Sequence, residues 1–299
     1  MGKWKRHFSW RVEKQVATLP NFLEDAIDLH VHSAPDVDAR RYNDLELARE
    51  AERVGMGAIL IKSHQNSTVE RAWLVSKVVT GIKVFGGLVL NETVGGLNVA
   101  AVKLALAMGA KEIWMPTRSA HNHRVYHGES GGISVLDASG ELVPAAQAIV
   151  EAVAQSGGIL STGHLSPGEA AVLIRQAHRS GVRKVLVTHP EWAPTFYPVS
   201  LQKELALLGN VWFERCFVST THLCGCVPFQ VIEQAIVEVG VNTTVLSTDL
   251  GQPQTPPPAE GLRLYAERLK SSGFSLEHIR QMMCTNPAYL LSPDGVAEG

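Results

Sequence analysis

Two histidines with one residue between them, His30 and His32, close a short apolar run. Further histidines stand at the ends of later runs, His64 in ILIKSH, His164 in LSTGH and His189 in LVTH, and Asp249 ends another in VLSTD. Side chains alternate along a strand, so Asp28, His30 and His32 are expected on one face, as are Lys62 and His64. Imidazoles and a carboxylate in that number form a ligand set for a divalent transition metal. Such a metal activates water near neutral pH and polarises a carbonyl or phosphoryl oxygen. A lone histidine at any of these places reads as an ordinary core or loop residue. Their shared position, each at the end of an apolar run, is what points to one site.

The runs themselves must be strands. Ala26–Val31, Ala58–Lys62, Lys83–Leu90, Glu112–Pro116, Gly158–Thr162, Lys184–Thr188, Val211–Glu214 and Thr243–Thr248 are short, aliphatic and apolar on both faces. Buried parallel strands have that pattern. Helical patterns follow them at Leu45–Val54, Thr68–Val79, Asn98–Met108, Ala145–Gln155, Pro167–Arg179, Leu201–Leu208, Phe229–Val239 and Ala259–Ser271. Glycines such as Gly109, Gly157, Gly181 and Gly209 sit where such helices should end. Eight strand-then-helix units predict a single (β/α)₈ barrel, which collects polar groups at the C-terminal ends of its strands. An open doubly wound sheet is the alternative, but no GxGxxG follows the first strand. Two segments break the rhythm. Arg118–Leu142, after the fourth strand, is polar and glycine-rich and ends in a hairpin pattern with its turn near Asp137–Gly140. Gly251–Pro258 (GQPQTPPP) follows the eighth strand. Both are lid candidates at the active face.

The bulk properties narrow the partners. The chain has 299 residues, is 45% hydrophobic and carries a net charge of −2. A single domain over 1–299 follows, with an N-terminal extension at 1–20 and a C-terminal helix and tail at 275–299. There is no basic excess for nucleic acid and no apolar run long enough for a membrane span. The basic, aromatic stretch Met1–Trp10 is followed by no apolar h-region, so it does not read as a signal peptide. Cys216, Cys224, Cys226 and Cys284 form no CxxC pair; reduced thiols in a cytoplasmic protein are expected. The expected partners are a small-molecule substrate and, as for many barrels, further copies of the chain.

At this point the pattern resembles the amidohydrolase superfamily of metal-dependent hydrolases. The resemblance rests on the HxH of His30 and His32, on His164 and His189, on Asp249, and on the C-terminal stretch SLEHIRQMMCTNPAYLL with its NPA motif. It spans nearly the whole chain. The runs IKSH, LNETVGGLN and WMPT look like a phosphotriesterase-like and amidohydrolase-like branch. The resemblance implies that His30, His32 and Asp249 hold a first metal and that His164 and His189 hold a second. The group between the metals usually comes from strand four as a carboxylated lysine or a glutamate. Here that strand ends in WMPT, and the nearest strand-end lysine is Lys62. Lys62 is then either carboxylated and bridging, or cationic and binding an anionic substrate.

The implied cofactor is one or two divalent ions per chain, Zn²⁺ first, with Mn²⁺, Co²⁺ or Ni²⁺ also suited to these ligands. Asp249 has a second expected role as the catalytic acid–base group. His64 is an alternative ligand or a hydrogen-bonding residue. His64, Glu92, His123, Glu214 and Arg41 are the candidate substrate contacts. Arg40 and Arg41 either grip a carboxylate or are solvated. The expected reaction is hydrolysis of an amide or cyclic amide C–N bond. Lactone or phosphotriester hydrolysis and a mononuclear decarboxylase are the alternatives.

Overall fold

The computed structural model describes residues 21–292. The N-terminal extension, the end of the C-terminal tail and His7 lie outside the described residues. Eight parallel strands run in the order β1 to β8: β1 Ile27–Val31, β2 Ala58–Ile61, β3 Lys83–Val89, β4 Glu112–Trp114, β5 Ile159–Ser161, β6 Val185–Thr188, β7 Val211–Cys216 and β8 Thr244–Ser247. The ring closes just beyond β8, where the Asp249 amide donates to the His30 carbonyl at 2.7 Å and the His32 amide to Leu250 at 2.8 Å. This is the (β/α)₈ barrel expected from the alternation.

Helices cover the ring: α1 Asp44–Arg53, α2 Val69–Ser76, α3 Val99–Ala107, α4 His121–Tyr126, α5 Pro144–Ser156, α6 Pro167–Arg179, α7 Val199–Ala206, α8 Phe229–Val239 and α9 Pro258–Ser271. Two further helices, α10 Leu276–Arg280 and α11 Asn286–Leu291, end the described chain. Ile59, Ile61 and Val31 face this layer and pack with Leu47, Ala72 and Leu262. Leu29, Leu60, Trp114, Leu186 and Val245 fill the interior together with Leu290 of α11. The NPA motif is structural here. Asn286 donates to the carbonyls of Val241 and Thr244 at 2.8 and 2.6 Å, fastening α11 beneath β8. Among the described residues, no helix is long and apolar enough to cross a membrane.

One strand departs from simple alternation. The register of β1 against β2 slips between Asp28 and Val31, so β1 carries one extra residue, as a β-bulge does. Leu29 stays in the interior cluster, while His30 and His32 go to the site. The expectation that Asp28 shares their face is therefore corrected. Asp28 instead accepts from the Thr248 amide at 3.0 Å and the Thr248 hydroxyl at 2.5 Å. Burial raises the Asp28 pKa to about 7, against the opposing pull of those bonds.

The polar insertion after β4 contains α4, which the sequence pattern did not suggest, and then a tight turn at Asp137–Gly140 with one antiparallel bridge, Leu136 to Leu142. A capping box of Ser166 and Glu169, with Pro167 in the first turn, starts α6 directly after His164. Gly163 lies between β5 and His164 at φ +58°, and a Cβ there would meet the Met115 carbonyl oxygen at 2.3 Å. Gly163→Ala should thus destabilise the fold by about 2–4 kcal/mol. Gly168→Ala, with nothing within 4 Å of an added Cβ, should leave it unchanged or slightly raise it. Urea unfolding of both variants checks the pair, and equal midpoints would show that the β4–β5 contact is not tight.

Candidate metal centre

Asp249 is the hub of the site. Its Oδ1 lies 3.0 Å from His30 Nε2 and 2.8 Å from His32 Nε2, and its Oδ2 lies 3.3 Å from His189 Nε2. These groups come from three places that the barrel brings together: the end of β1, the turn after β6 and the turn after β8. Both turns carry unusual backbone. His189 has φ 52° and Asp249 φ 51°, left-handed conformations that cost a side chain-bearing residue about 1–3 kcal/mol each. The surrounding bonds hold them there, including His189 N–H to the Glu214 carbonyl at 3.2 Å.

The electrostatics follow from burial. Burial opposes the charge on Asp249, but His30, His189 and His32 together hold its carboxyl well below the usual carboxylate range. Burial also opposes a charged His30, yet Asp249 and then Glu214 push it up to about 9. His32 goes the other way, to about 3, because desolvation outweighs its contact with Asp249. The site thus has one firmly ionised carboxylate among imidazoles.

Behind the hub, Glu214 Oε2 takes His30 Nδ1 at 3.1 Å. A histidine whose Nδ1–H is bound to a carboxylate presents its Nε2 lone pair in a fixed direction. Cys216, two residues along β7, places Sγ 3.7 Å from the same Nδ1. Lys62 is fully buried beyond the end of β2, with Nζ 2.9 Å from His30 Nε2 and 5.1 Å from the centre of the Trp114 ring. Burial lowers the Lys62 pKa, and the charges of Asp249, Glu214 and Glu112 pull it back up. Glu112 opens β4 and is wholly buried, bonded to the Ser161 hydroxyl. Burial and then the Glu214 charge raise its carboxyl well above the usual range.

Residues His30, His32 and Asp249 each bring one ligand atom, all within 4.8 Å of one another, and His30, His189 and Cys216 form an overlapping group. Nδ1 of His32 and of His189 is buried and without a partner among the described residues. Imidazole nitrogens and an ionised carboxylate converging at a buried point suit a divalent cation. On donor type and convergence, the residues present fit the implied metal.

Above this floor is a cavity of about 480 Å³, with His64, His123, His164, Trp192, Arg40 and Arg118 in its walls. His64 stacks on His32, ring centres 5.0 Å apart. His164 lies near His189, at 5.7 Å between centres, but its Nδ1 is 3.0 Å from His123 Nδ1.

Among the expected residues, His30, His32, Lys62, His64, His164, His189 and Asp249 gather at one face, with His123 in the cavity wall. His30 and Lys62 are buried beneath the cavity, and three others do not line it either. Arg41 donates to the carbonyls of Pro253 and Thr255 and so staples the loop after β8. Glu92 is half exposed and paired with Arg124 at 2.7 Å. Glu214 is fully buried behind His30. Arg40 does line the cavity, bound to Asp36 at 3.0 Å. Glu112 was not legible as part of the site, because it opens β4 and the other site residues end their strands. Sequence reasoning missed Cys216 as a neighbour of His30, although the spacing Glu214-x-Cys216 was the available signal.

The family model described as "Family of unknown function (DUF6282)" matches residues 25–214. Among curated proteins no sequence matches the chain. Solved structures share the fold. An amidohydrolase from Pseudomonas aeruginosa superposes with a TM-score of 0.65 at 11% identity, covering 91% of this chain and 97% of that one. A lactonase from Listeria monocytogenes gives 0.60 at 11% identity, covering 91% and 96%. A 2,6-dihydroxybenzoate decarboxylase from Rhizobium gives 0.51 at 13% identity, covering 91% and 99%.

The contact between Glu214 and His30 leads to a measurement. Glu214→Gln should weaken Zn²⁺ binding by roughly 10–100-fold, read by competition with a chelator. An unchanged affinity would separate Glu214 from the centre.

Proposed function

The chain belongs to the family DUF6282, whose description assigns no activity, and from its site we propose that it is a metal-dependent hydrolase acting on a small molecule at an amide or cyclic amide C–N bond. The observation that carries this reading is the convergence of the Asp249 carboxylate and three strand-end imidazoles beside the cavity. In this reading His30, His32, His189 and Asp249 hold the metal, Zn²⁺ by preference. Held there, a divalent cation would supply activated water at neutral pH and polarisation of the scissile bond's oxygen.

The protein's own groups do the rest. Asp249, beside the attacking water, would take its proton and return it to the leaving nitrogen. Glu214, bonded to His30 Nδ1, would orient the ring so that Nε2 faces the metal. A cavity of about 480 Å³ suits a small molecule. Lactones share the same addition geometry and are the nearest alternative substrates, with phosphotriesters after them. The thiols, free in the structure, suit a cytoplasmic setting.

In a binuclear form, His164 and His189 would hold the second ion, and a carboxylated Lys62 would be the residue shared by both. Burial lowers the Lys62 pKa, which raises the fraction of neutral amine available to take up CO₂. A second reading, a mononuclear lyase such as a decarboxylase, is favoured by one feature: His164 Nδ1 is engaged by His123 at 3.0 Å.

Metal content per chain separates these forms. Two ions in the wild type and fewer in Lys62→Ala support the bridging lysine. One ion in both supports the mononuclear forms. Asp249→Asn should lower hydrolysis of any active amide or lactone by about 10²–10⁴-fold. A wild type that binds no metal even after Zn²⁺ or Mn²⁺ is added would remove the hydrolase reading.

A further inference from the structure

The tautomer of His64 is set by the groups behind it. Asn91 Oδ1 accepts from the backbone amides of Thr117 and Ser119 at 2.8 and 3.1 Å. Its Nδ2 therefore faces the other way, donating to the His64 carbonyl at 3.0 Å and to Thr117 Oγ1 at 2.7 Å. Thr117 is completely buried. Its hydroxyl hydrogen needs an acceptor, and among the described residues the one bonded to Oγ1 besides Asn91 is His64 Nδ1, at 2.9 Å. Were Nδ1 to carry a proton, Asn91 and His64 would both donate to one oxygen and the threonine hydrogen would be buried without a partner. Folded proteins avoid such groups. Satisfying all three residues leaves His64 neutral, with Nδ1 accepting and the hydrogen on Nε2.

That hydrogen is directed away from the scaffold. His64 Nε2 makes no hydrogen bond among the described residues, and the ring lines the cavity. The ring is stacked on His32 at 5.0 Å and stands 6.3 Å from the ring of His164, so it is beside the centre. A nitrogen that carries a hydrogen is a donor and has no lone pair for a metal. We propose that His64 is a catalytic hydrogen-bond donor rather than a ligand, its Nε2–H aimed at the carbonyl or phosphoryl oxygen of the substrate on which charge builds. Asn91 and Thr117 are the positioning residues that fix this tautomer. The proposal rests on the hydrolase reading for its substrate, but the tautomer stands on the hydrogen bonds alone. The ligand class is a molecule with a polarisable C=O or P=O oxygen. Donors preorganised at such an oxygen act chiefly on the transition state.

Long-range ¹H–¹⁵N spectra of the full chain, labelled at histidine nitrogens and recorded with and without Zn²⁺, test this directly. The His64 signals are identified by their loss in His64→Phe. The expected pattern is a neutral ring protonated at Nε2, lost or averaged in Thr117→Val and kept in Thr117→Ser. A proton on Nδ1, or a Zn²⁺-induced change showing Nε2 as a ligand, overturns the proposal. Methylphosphonate, a tetrahedral oxyanion, serves as the binding probe on the Zn²⁺-loaded protein. Affinity should fall about tenfold in His64→Phe, recover in His64→Gln, which keeps an N–H, and metal content should be equal in all three. Loss of metal in His64→Phe, or equal probe affinity throughout, also overturns it. A wild type that takes up no Zn²⁺ counts against the hydrolase reading, while the tautomer is still decided by the zinc-free spectra.

Discussion

The structure depends on holding one carboxylate at the partly buried floor of the cavity, among imidazoles. A buried, unpaired carboxylate would simply take a proton. Asp249 avoids this because three imidazole nitrogens stand within 3.3 Å of its oxygens. Its backbone serves the barrel as well: the Asp249 amide donates to His30 and helps close the ring between the eighth strand and the first. Closure of the sheet and assembly of the ligand set are therefore one event. The left-handed backbone at Asp249 and at His189 is the strain this coupling stores, and it persists because neighbouring bonds over-determine it.

A support layer beneath and around the hub shows the same logic. Asp28, displaced from the site by the bulge in β1, accepts from the amide and hydroxyl of Thr248 and from the amide of His30. It ties β1 to the end of β8, beside His30, His32 and Asp249. Outside the ring, Arg215 is buried and paired with Glu191, while its other arm reaches Gln202 at 3.0 Å. This links β7, which bears Glu214 and Cys216, to the turn that bears His189. Such pairs gain little net stability against apolar replacements. Their effect here is to fix where two turns sit relative to each other.

The strands and the histidines at their ends were legible because both obey simple periods: buried strands are short and apolar, and polar groups mark where they emerge. The support layer was not legible. Glu112 begins its strand instead of ending it, so nothing local distinguishes it from a surface residue preceding an apolar run. Arg40 and Arg41 are adjacent and chemically identical, yet one lines the cavity and the other binds loop carbonyls. That choice is made by contacts more than 200 residues away in sequence, with Pro253 and Thr255. The bulge in β1 is a matter of register between two strands, and the positive φ at His189 and Asp249 arises from tertiary closure. Residues of those types give no warning of it.

The loops read from sequence as lid candidates form walls of the cavity in this structure. Asn122, on α4, donates to the His164 carbonyl at 3.1 Å and the Pro194 carbonyl at 2.8 Å, tying the insertion to the turns after β5 and β6. Arg118 joins it to the loop after β1 through Asp38 at 2.7 Å. The loop after β8 is held by Arg41 on one side and by Thr255 hydroxyl bonding to Gln252 at 2.9 Å on the other. The insertion is fastened to the turns after β5 and β6 and to the loop after β1, and the loop after β8 to Arg41. A change in a loop residue is therefore felt at a ligand-bearing turn. This divides the work: strand ends supply the chemistry, while the loops set the shape of the cavity and, through these same bonds, the exact placement of the groups beneath it.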